Sequence, residues 1–387
     1  MSAAASASRA PRHVPGDLRT YVPVLPARRA AFTALAKAGS SGEPRIEPLW
    51  VIPPRIRRPA DPLSPGGRTP DDPVALAQHL HSIADTLRTR HGLRPGWVDA
   101  RWAEDTLELV REHVWDVLAS DLAGTELRPV TGPERGPIQQ AAAGAVAREW
   151  DSGLGVRIPA DSSAALADEV RDRCAELLNR TGVPPERTDL LIDLRQVSDA
   201  DTAEARARRA LALLADLAPW RTTVLTGGSF PYSDEGLKRH EVVMVARAEW
   251  LVWTALRSRG TGDGLRGGGL VYGDYSTLHP RSCDDPVETG PLDIFEKPRY
   301  TLAEHFLIGK GAHRTRGEAS CMDRIARKIT KYAPFRPGAS AAERWLEERA
   351  ADPSNKHPGN AETWVTQGHI QHLAYIPEQL RQLGELG

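Results

Sequence analysis

The chain has 387 residues, with 50 Lys and Arg against 51 Asp and Glu, for a formal net charge of −1. Hydrophobic residues make up 40% of it and charged residues 26%, as in an ordinary soluble globular protein. This balance argues against a protein whose whole surface binds nucleic acid or anionic lipid, because such binding needs a basic excess.

Two features bear on where the protein works. Residues 1–17 are rich in Ala, Ser, Arg and Pro and have no apolar centre, so we expect no secretory signal and no membrane span. The three cysteines, Cys174, Cys283 and Cys321, are too far apart for a CxxC metal knuckle or a disulfide framework. We therefore expect a soluble protein of the reducing cytoplasm.

Short apolar or β-branched runs alternate with longer stretches of helical periodicity along most of the chain, which is the pattern of βα units. Strands are predicted at residues 20–25, 46–52, 97–101, 127–131, 153–158, 188–194, 221–226 and 270–275. The helices that follow them are predicted at residues 29–38, 74–90, 103–119, 138–150, 163–180, 202–217 and 242–257.

Eight such strands are the number found in a (β/α)8 barrel. An open doubly wound sheet is the alternative, but it usually has five or six strands, and no G-x-G-x-x-G follows the first strand here. We predict an α/β protein with a TIM-like (β/α)8 barrel over residues 19–284, after a disordered tail at residues 1–18.

Residues 285–387 follow a different pattern. They predict a hairpin over residues 299–308 and helices near residues 322–332, 341–350 and 363–383. We interpret this part as a mostly helical C-terminal extension that packs on the barrel.

Nine short motifs occur in a characteristic order and spacing: Tyr21-Val-Pro-Val-Leu25, Pro48-Leu49, Leu191-Ile-Asp-Leu194, Leu225-Thr-Gly-Gly-Ser-Phe-Pro231, Arg247-Ala-Glu-Trp250, Tyr272-Gly-Asp-Tyr275, Arg299-Tyr-Thr301, Gly309-Lys-Gly311 and Trp364 with Gly368-His369-Ile-Gln-His372. Over residues 21–383 the chain resembles the beta protein family, named after the beta gene of a phage satellite. The resemblance implies a part in anti-phage defence or in a killer/antidote module, alongside a partner encoded by a neighbouring gene.

The chain departs from the family pattern at two places. The resemblance implies an acidic residue in the second strand where this chain has Val51, and a Glu in the first helix near Ala30 and Ala31. If those acids are catalytic in relatives, this member is impaired.

Barrel enzymes carry their sites at the C-terminal ends of the strands. That rule selects the following residues: Asp99, Arg101, Arg157, Asp193, Arg195, Gly228, Ser229, Asp274 and Tyr275. A mouth of mixed charge suits acid/base chemistry or an anionic ligand. Asp193 and Asp274 are the candidate catalytic carboxylates. The candidate ligand-binding residues are Arg195, Gly228, Ser229, Tyr275, Arg247 and Lys310.

Several candidates have a purely structural alternative. Asp193 and Arg195 share a strand face and can form a buried ion pair that only holds the barrel together. The two glycines before Ser229 can let a backbone approach an anion, or can serve only a tight turn. Arg247 and Glu249 are two residues apart, so we expect them to face different ways on a helix, while Trp250 and Trp253 pack in the core.

The C-terminal extension offers weaker candidates. His369 and His372 share a helix face, but a metal site needs a further ligand and none is evident, so we predict packing and no metal. Lys310 can reach an anion or can be a solvated turn residue. The basic face formed by Arg324, Arg327, Lys328 and Lys331 is expected to be solvated, and we expect no nucleic-acid partner.

Three hypotheses on function follow. The first is an enzyme that acts on a phosphorylated or nucleotide-like small molecule at the barrel mouth. The second is a non-catalytic subunit that binds a partner protein. The third, a nucleic-acid binder, is the weakest because the net charge is −1. The sequence identifies no cofactor.

Overall fold

Eight parallel strand positions close into a barrel in the computed structural model of the chain. The structure describes residues 20–38, 44–55, 72–92, 94–120, 126–161, 168–232, 237–258, 269–284, 297–311, 321–351 and 359–385. Their strands are β1 (Thr20–Pro26), β2 (Arg45–Ile46), β3 (Leu49–Val51), β4 (Gly96–Asp99), β5 (Leu127–Thr131), β6 (Leu154–Pro159), β7 (Thr188–Gln196), β8 (Thr222–Gly228), β9 (Val242–Ala246), β10 (Val271–Asp274), β11 (Arg299–Thr301) and β12 (His305–Gly309).

Helices surround the barrel and complete the C-terminal part. The α-helices of the described residues are α1 (Arg29–Lys37), α2 (Pro73–His91), α3 (Leu107–Val110), α4 (Asp116–Leu118), α5 (Pro137–Glu149), α6 (Glu169–Thr181), α7 (Ala200–Leu214), α8 (Ala248–Ser258), α9 (Arg281–Asp284), α10 (Met322–Thr330), α11 (Ala341–Ala351) and α12 (Ala361–Glu385). A 3₁₀ turn precedes α3, and a π-helical turn joins α3 to α4.

The barrel is closed because its first and last strands pair with each other. The parallel order runs β1, β3, β4, β5, β6, β7, β8 and β10, and β10 returns to β1 with Tyr21 opposite Tyr272. Strands β2 and β3 are two parts of one barrel position, interrupted at Glu47 and Pro48. Proline has no N–H to give to a ladder, so the strand breaks there. The predicted α/β TIM-like barrel is confirmed.

Alternate residues of each strand point into the barrel. The middle of the interior is an apolar layer that includes Val22, Leu49, Val130, Leu191 and Val224, each at most 2% exposed. The outer face of the wall packs against the helices in a larger core. Buried charged pairs lie at the two ends of this layer, Asp189 with Arg128 at one end and Asp193 with Arg157 at the other.

The N-terminal end of the barrel interior is closed by a buried charge network. The Asp189 carboxylate accepts hydrogen bonds from Trp97 Nε1 (2.8 Å) and Arg221 Nε (2.7 Å), and Arg128 Nη1 lies 3.5 Å from it. The Arg128 guanidinium also stacks on the Trp97 ring at 4.9 Å. This end of a barrel usually serves stability rather than chemistry.

A second sheet is antiparallel, with the order β11, β12, β9. The predicted hairpin forms its β11–β12 pair. The predicted helix over residues 242–257 is wrong in its first part, because residues 242–246 form β9, and α8 begins only at Ala248. In β9, Val243 and Val245 pack against Phe230, Phe306 and Ile308, and such β-branched residues favour a strand with this partner face.

The long helix α12 joins the C-terminal part to the barrel. It packs along α1, where Arg29 forms an ion pair with Glu362, and it also contacts β1 and β11. Its apolar residues Ile370, Leu373, Ile376 and Leu380 belong to the same core as the barrel helices. Within the described ranges, no helix is long and apolar enough to cross a bilayer.

Candidate functional site

A set of polar side chains fills the C-terminal mouth of the barrel. It consists of Asp99, Arg135, Arg157, Asp193 and Tyr275, which we call the mouth cluster. Arg157 bridges the two acids: its Nη1 donates to Asp99 Oδ2 (2.9 Å) and its Nε to Asp193 Oδ2 (3.0 Å). The Tyr275 hydroxyl accepts from Arg157 Nη2 (2.6 Å) and donates to Asp193 Oδ2 (2.7 Å).

Arg135 completes the charge balance from the loop before α5. Its Nη2 donates to Asp99 Oδ2 at 2.9 Å, and its Nη1 donates to the Val130 carbonyl at 3.2 Å. Two carboxylates and two guanidiniums thus lie together, with Asp99 0% and Asp193 2% exposed. Such burial is tolerated because each acid is paired and hydrogen-bonded.

Both acids of the mouth cluster are ionised at neutral pH. Burial raises the pKa of Asp99, but the charges of Arg135 and Arg157 outweigh burial and hold the pKa well below its usual range. Burial likewise raises the pKa of Asp193, while Arg157 and the Tyr275 hydrogen bond lower it by more. These groups can orient a guanidinium or accept a proton, but they hold no proton to donate.

Asp193 forms its ion pair with Arg157, whereas the structural alternative considered above was a pair with Arg195. The alternation of β7 is broken between Asp193 and Gln196, and Arg195 has a φ of 53°. At this irregularity the backbone N–H of Arg195 donates to Asp193 Oδ1 at 2.9 Å. Two residues spaced i, i+2 share a face only while the strand stays regular.

Arginines follow six successive barrel positions at the mouth. They are Arg28 after β1, Arg55 after β3, Arg101 after β4, Arg135 after β5, Arg157 in β6 and Arg195 in β7. Arg135 and Arg157 are buried, and the other four are half-buried. Arginines therefore occur at strand ends around most of the mouth, and the guanidiniums of Arg135 and Arg157 lie within the mouth cluster.

Asp274 lies on the other side of the barrel wall. It is adjacent to Tyr275, and neighbouring strand residues point to opposite faces. Its carboxylate accepts from Tyr21 (2.6 Å), Tyr272 (2.9 Å) and the Ser276 N–H (2.8 Å), and it lies 2.9 Å from His372 Nε2. We call Tyr21, Tyr272, Asp274 and His372 the outer cluster.

His372 joins α12 to the barrel through this cluster. Its Nδ1 lies 2.8 Å from Thr301 Oγ1 in β11 and its Nε2 2.9 Å from Asp274 in β10. Burial lowers the pKa of His372, which is consistent with a neutral ring that accepts from Thr301 and donates to Asp274. Burial raises the pKa of Asp274, but His372 and its other partners bring it to about 2.

His369, one turn earlier on α12, pairs with Ser276 (Nδ1 to Oγ, 2.8 Å) rather than with His372. Among the described residues, no group of three or more His, Cys, Asp or Glu side chains is arranged to hold a metal ion. Cys174, Cys283 and Cys321 are buried and form no disulfide.

Arg247 is a buried tether in the layer between the barrel wall and α12. It donates to the carbonyls of Leu302 (3.0 Å) and Ala303 (2.9 Å), to Gln379 Oε1 (2.9 Å) and to the Tyr272 hydroxyl (3.2 Å). Its Nε lies 3.6 Å from Glu249 Oε1, so the expectation that these two side chains face apart is wrong. That expectation assumed one helix, whereas Arg247 precedes α8.

Ser229 donates a hydrogen bond to Glu249 Oε2, which links the end of β8 to α8. Glu249 is 3% exposed, and burial raises its pKa to about 7 although Arg247 acts in the opposite direction. This is a carboxyl group that changes charge near neutral pH.

The titration of Glu249 has a consequence for stability. The pKa of Glu249 is higher in the folded protein than in the unfolded chain. Between about pH 4.5 and pH 7 the folded protein therefore holds a proton that the unfolded chain releases. The contribution of Glu249 to the free energy of unfolding falls as pH rises through that window. Glu249→Gln removes that loss. We expect the free energy of unfolding of Glu249→Gln, relative to that of wild type, to rise by about 3 kcal/mol from pH 5 to pH 9.

Urea unfolding of both proteins at pH 5, 7 and 9 measures this difference. Glu112→Gln, at a side chain that is 71% exposed, is the matched control and should show no such shift. A difference between Glu249→Gln and wild type that is the same at all three pH values would contradict the assignment.

The remaining predicted residues lie in packed or peripheral positions. A Cβ added to Gly228 would come within 3.1 Å of Pro280 and 3.2 Å of Tyr275, so close packing accounts for this glycine. Lys310 lies beyond β12, where its N–H donates to the Glu241 carbonyl (3.3 Å). Val51 is buried in the barrel interior, in register with Asp99, so the second-strand position does face the mouth layer.

The basic residues of α10 are engaged locally. Arg327 pairs with Asp323, and Lys328 Nζ donates to the His240 carbonyl at 2.6 Å. Trp250 and Trp253 are buried against Tyr272, as predicted. Ala31 is buried in α1, whereas Ala30 is half-buried.

The structure thus divides the predicted site between two faces of the barrel wall. Asp99, Arg157, Asp193 and Tyr275 come together at the mouth, whereas Asp274, Arg247 and Ser229 lie outside it. Sequence reasoning missed Arg135, which a loop brings to Asp99, and Tyr21, which is an ordinary apolar strand residue by pattern. Tyr21 gave a weak signal of a role at Asp274, since its side chain carries a hydroxyl group and the first strand of a closed barrel pairs with the last, which carries Asp274.

A family model described as Beta protein matches residues 21–377 of the chain. None of the curated proteins matches it. Among solved structures, the triosephosphate isomerase of Bartonella henselae aligns with a TM-score of 0.31 and 11% identity, over 65% of this chain and 91% of that chain.

Proposed function

The chain belongs to the beta protein family, and from this premise we propose that it is a component of an anti-phage defence or killer/antidote module whose barrel mouth binds an anionic ligand. The defence role is supported by the phage-satellite context from which the family takes its name. The ligand class is supported by the chemistry of the mouth.

The observation that carries the ligand proposal is the recurrence of arginines at the strand ends. Six successive barrel positions supply one each, and Arg157 and Arg135 meet over Asp99. Guanidinium groups bind phosphate and carboxylate with paired hydrogen bonds, and barrels bind their ligands at this end. We therefore propose a phosphorylated or nucleotide-like small molecule as the ligand.

The mouth cluster suits binding better than proton donation. With their pKa values lowered, Asp99 and Asp193 are ionised and fix the orientation of Arg157, so they act as positioning residues. An incoming phosphate would compete with these carboxylates for the guanidiniums. The Tyr275 hydroxyl accepts from Arg157 and donates to Asp193, so it could donate to the phosphate only by releasing Asp193.

Calorimetric titration with a panel of nucleoside monophosphates, diphosphates and triphosphates tests the ligand. We expect one class to bind in a salt-dependent way, and Arg101→Gln with Arg195→Gln to weaken it by about tenfold or more. Arg187→Gln, at the opposite end of the barrel just before β7, is the control. Equal affinity in all variants would contradict a ligand at the mouth.

Phage challenge of cells that carry the native locus tests the cellular role. We expect wild type to protect and Asp193→Asn to lose protection at a matched level of soluble protein. Protection that persists in this variant would favour a non-catalytic, partner-binding subunit. Protection that is absent even in wild type would contradict a role in defence and leave an enzyme acting elsewhere.

A further inference from the structure

Arg299 reaches from β11 to the rim of the barrel. Its side chain passes directly over Gly368 of α12, where an added Cβ would lie 2.7 Å from Arg299 Cδ. Its guanidinium ends between the segments that follow β8 and β10: it lies 4.8 Å from the centre of the Phe230 ring, and its Nη1 donates to the Thr277 carbonyl at 2.7 Å. A larger residue at position 368 would collide with the Arg299 side chain, so this conformation of Arg299 requires Gly368.

The charge of Arg299 is not balanced by an acid of the described part of the chain. Besides Thr277, its polar contact is the Lys297 carbonyl, which accepts from Nε at 3.2 Å. No carboxylate lies within ion-pair distance of it among the residues that the structure describes, whereas Arg135, Arg157 and Arg221 each have one. Arg299 is half-buried, and partial removal of a cation from water without a counter-charge is costly; burial also lowers the pKa of this guanidinium.

The groups next to Arg299 favour a negative partner. Thr277 is completely buried, and its Oγ1 forms no hydrogen bond. His369 is 1% exposed, and burial together with the charge of Arg299 lowers its pKa to about 3, so its ring is neutral. A guanidinium, a free hydroxyl and a neutral imidazole can all donate, and together they match an oxyanion.

We propose that Arg299 binds a phosphate group at the junction of α12 with the segments after β8 and β10. This site goes beyond the proposed mouth ligand, since Arg299 and Thr277 are outside the mouth cluster. The bound phosphate supplies the missing counter-charge and accepts hydrogen bonds from Arg299. Late-strand segments are also where barrels commonly hold phosphate.

Titration calorimetry with inorganic phosphate, and separately with AMP, tests the site. We expect wild type to bind phosphate and Arg299→Gln to bind it at least about tenfold more weakly. Gly368→Ala keeps the charge but displaces the side chain, so it should weaken binding as well. Arg257→Gln is the matched control, since Arg257 also stacks on an aromatic ring (Trp253, 5.8 Å) but lies on α8. Thermal unfolding checks that each variant is folded.

The outcomes separate this site from the mouth. Loss of phosphate binding in Arg299→Gln, with binding kept in Arg101→Gln and Arg195→Gln, supports the Arg299 site. Loss of phosphate binding in Arg101→Gln or Arg195→Gln, with binding kept in Arg299→Gln, overturns the Arg299 site while the mouth proposal stands. Absence of phosphate and AMP binding in wild type also overturns it. If Arg299 is needed for AMP but not for free phosphate, the site is still supported, and it recognises the phosphate of a larger ligand.

Discussion

Asp274→Asn is expected to lower the free energy of unfolding by about 3–5 kcal/mol at pH 7.5, the range for breaking a buried charge network from one side. All the groups around Asp274 donate: the hydroxyls of Tyr21 and Tyr272, the Ser276 N–H and the Nε2–H of His372. In Asp274→Asn, one carboxylate oxygen that accepts hydrogen bonds is replaced by an amide NH₂ group, which can only donate and faces other donors. The variant also loses the charge that Arg247 and His372 surround.

Urea unfolding at pH 7.5 measures the loss, and Asp85→Asn provides the comparison. Asp85 pairs with Arg88 on the surface of α2 and is 49% exposed, so its replacement should cost less than about 1 kcal/mol. Hydrogen exchange adds a local readout: amides of α12 should lose protection first, because His372 fixes this helix to the barrel. A cost for Asp274→Asn no larger than that of the control would show that the outer cluster is dispensable.

The barrel could be predicted because its signals are local. The run over Thr188–Gln196 is apolar enough to be buried on both faces, and the βα alternation repeats eight times. The strand at residues 242–246 could not be predicted in the same way. Its partner, β12, lies about 60 residues further along the chain, and Val243 and Val245 become core residues only on that pairing.

The site was predictable only where strands are regular. The strand-end rule selected Asp99, Arg157, Asp193 and Tyr275, and these four meet at the mouth. The same sequence placed Asp274 beside Tyr275, and strict alternation already implies that one strand cannot turn both inward. The backbone at Arg195 could not be predicted for the opposite reason, since its strand is irregular and its φ is positive.

Arg157→Met is expected to have the second large effect on stability, because the Arg157 guanidinium pairs with the buried Asp193 carboxylate through both Nε and Nη2. Asp99 keeps Arg135, but Asp193 would lose the guanidinium bound to it and keep the hydroxyl groups of Thr226 and Tyr275 and the backbone N–H of Arg195. We expect a loss of about 3–5 kcal/mol at pH 7, together with loss of anion binding at the mouth. Arg157→Lys should recover only part of this, since an ammonium cannot bridge two carboxylates as the guanidinium does.

The pH dependence distinguishes this mechanism from a simple packing defect. In wild type the lowered pKa of Asp193 stabilises the protein above the unfolded pKa of about 4, and this contribution is lost as pH falls through the lower folded pKa. In Arg157→Met, burial without a cation raises the pKa of Asp193, so protonation relieves the buried charge. The difference in the free energy of unfolding between wild type and Arg157→Met, measured in urea, should therefore become smaller from pH 7 to pH 4. A gap of constant size would mean that Arg157 serves to fill space and that its charge does not matter for the mouth.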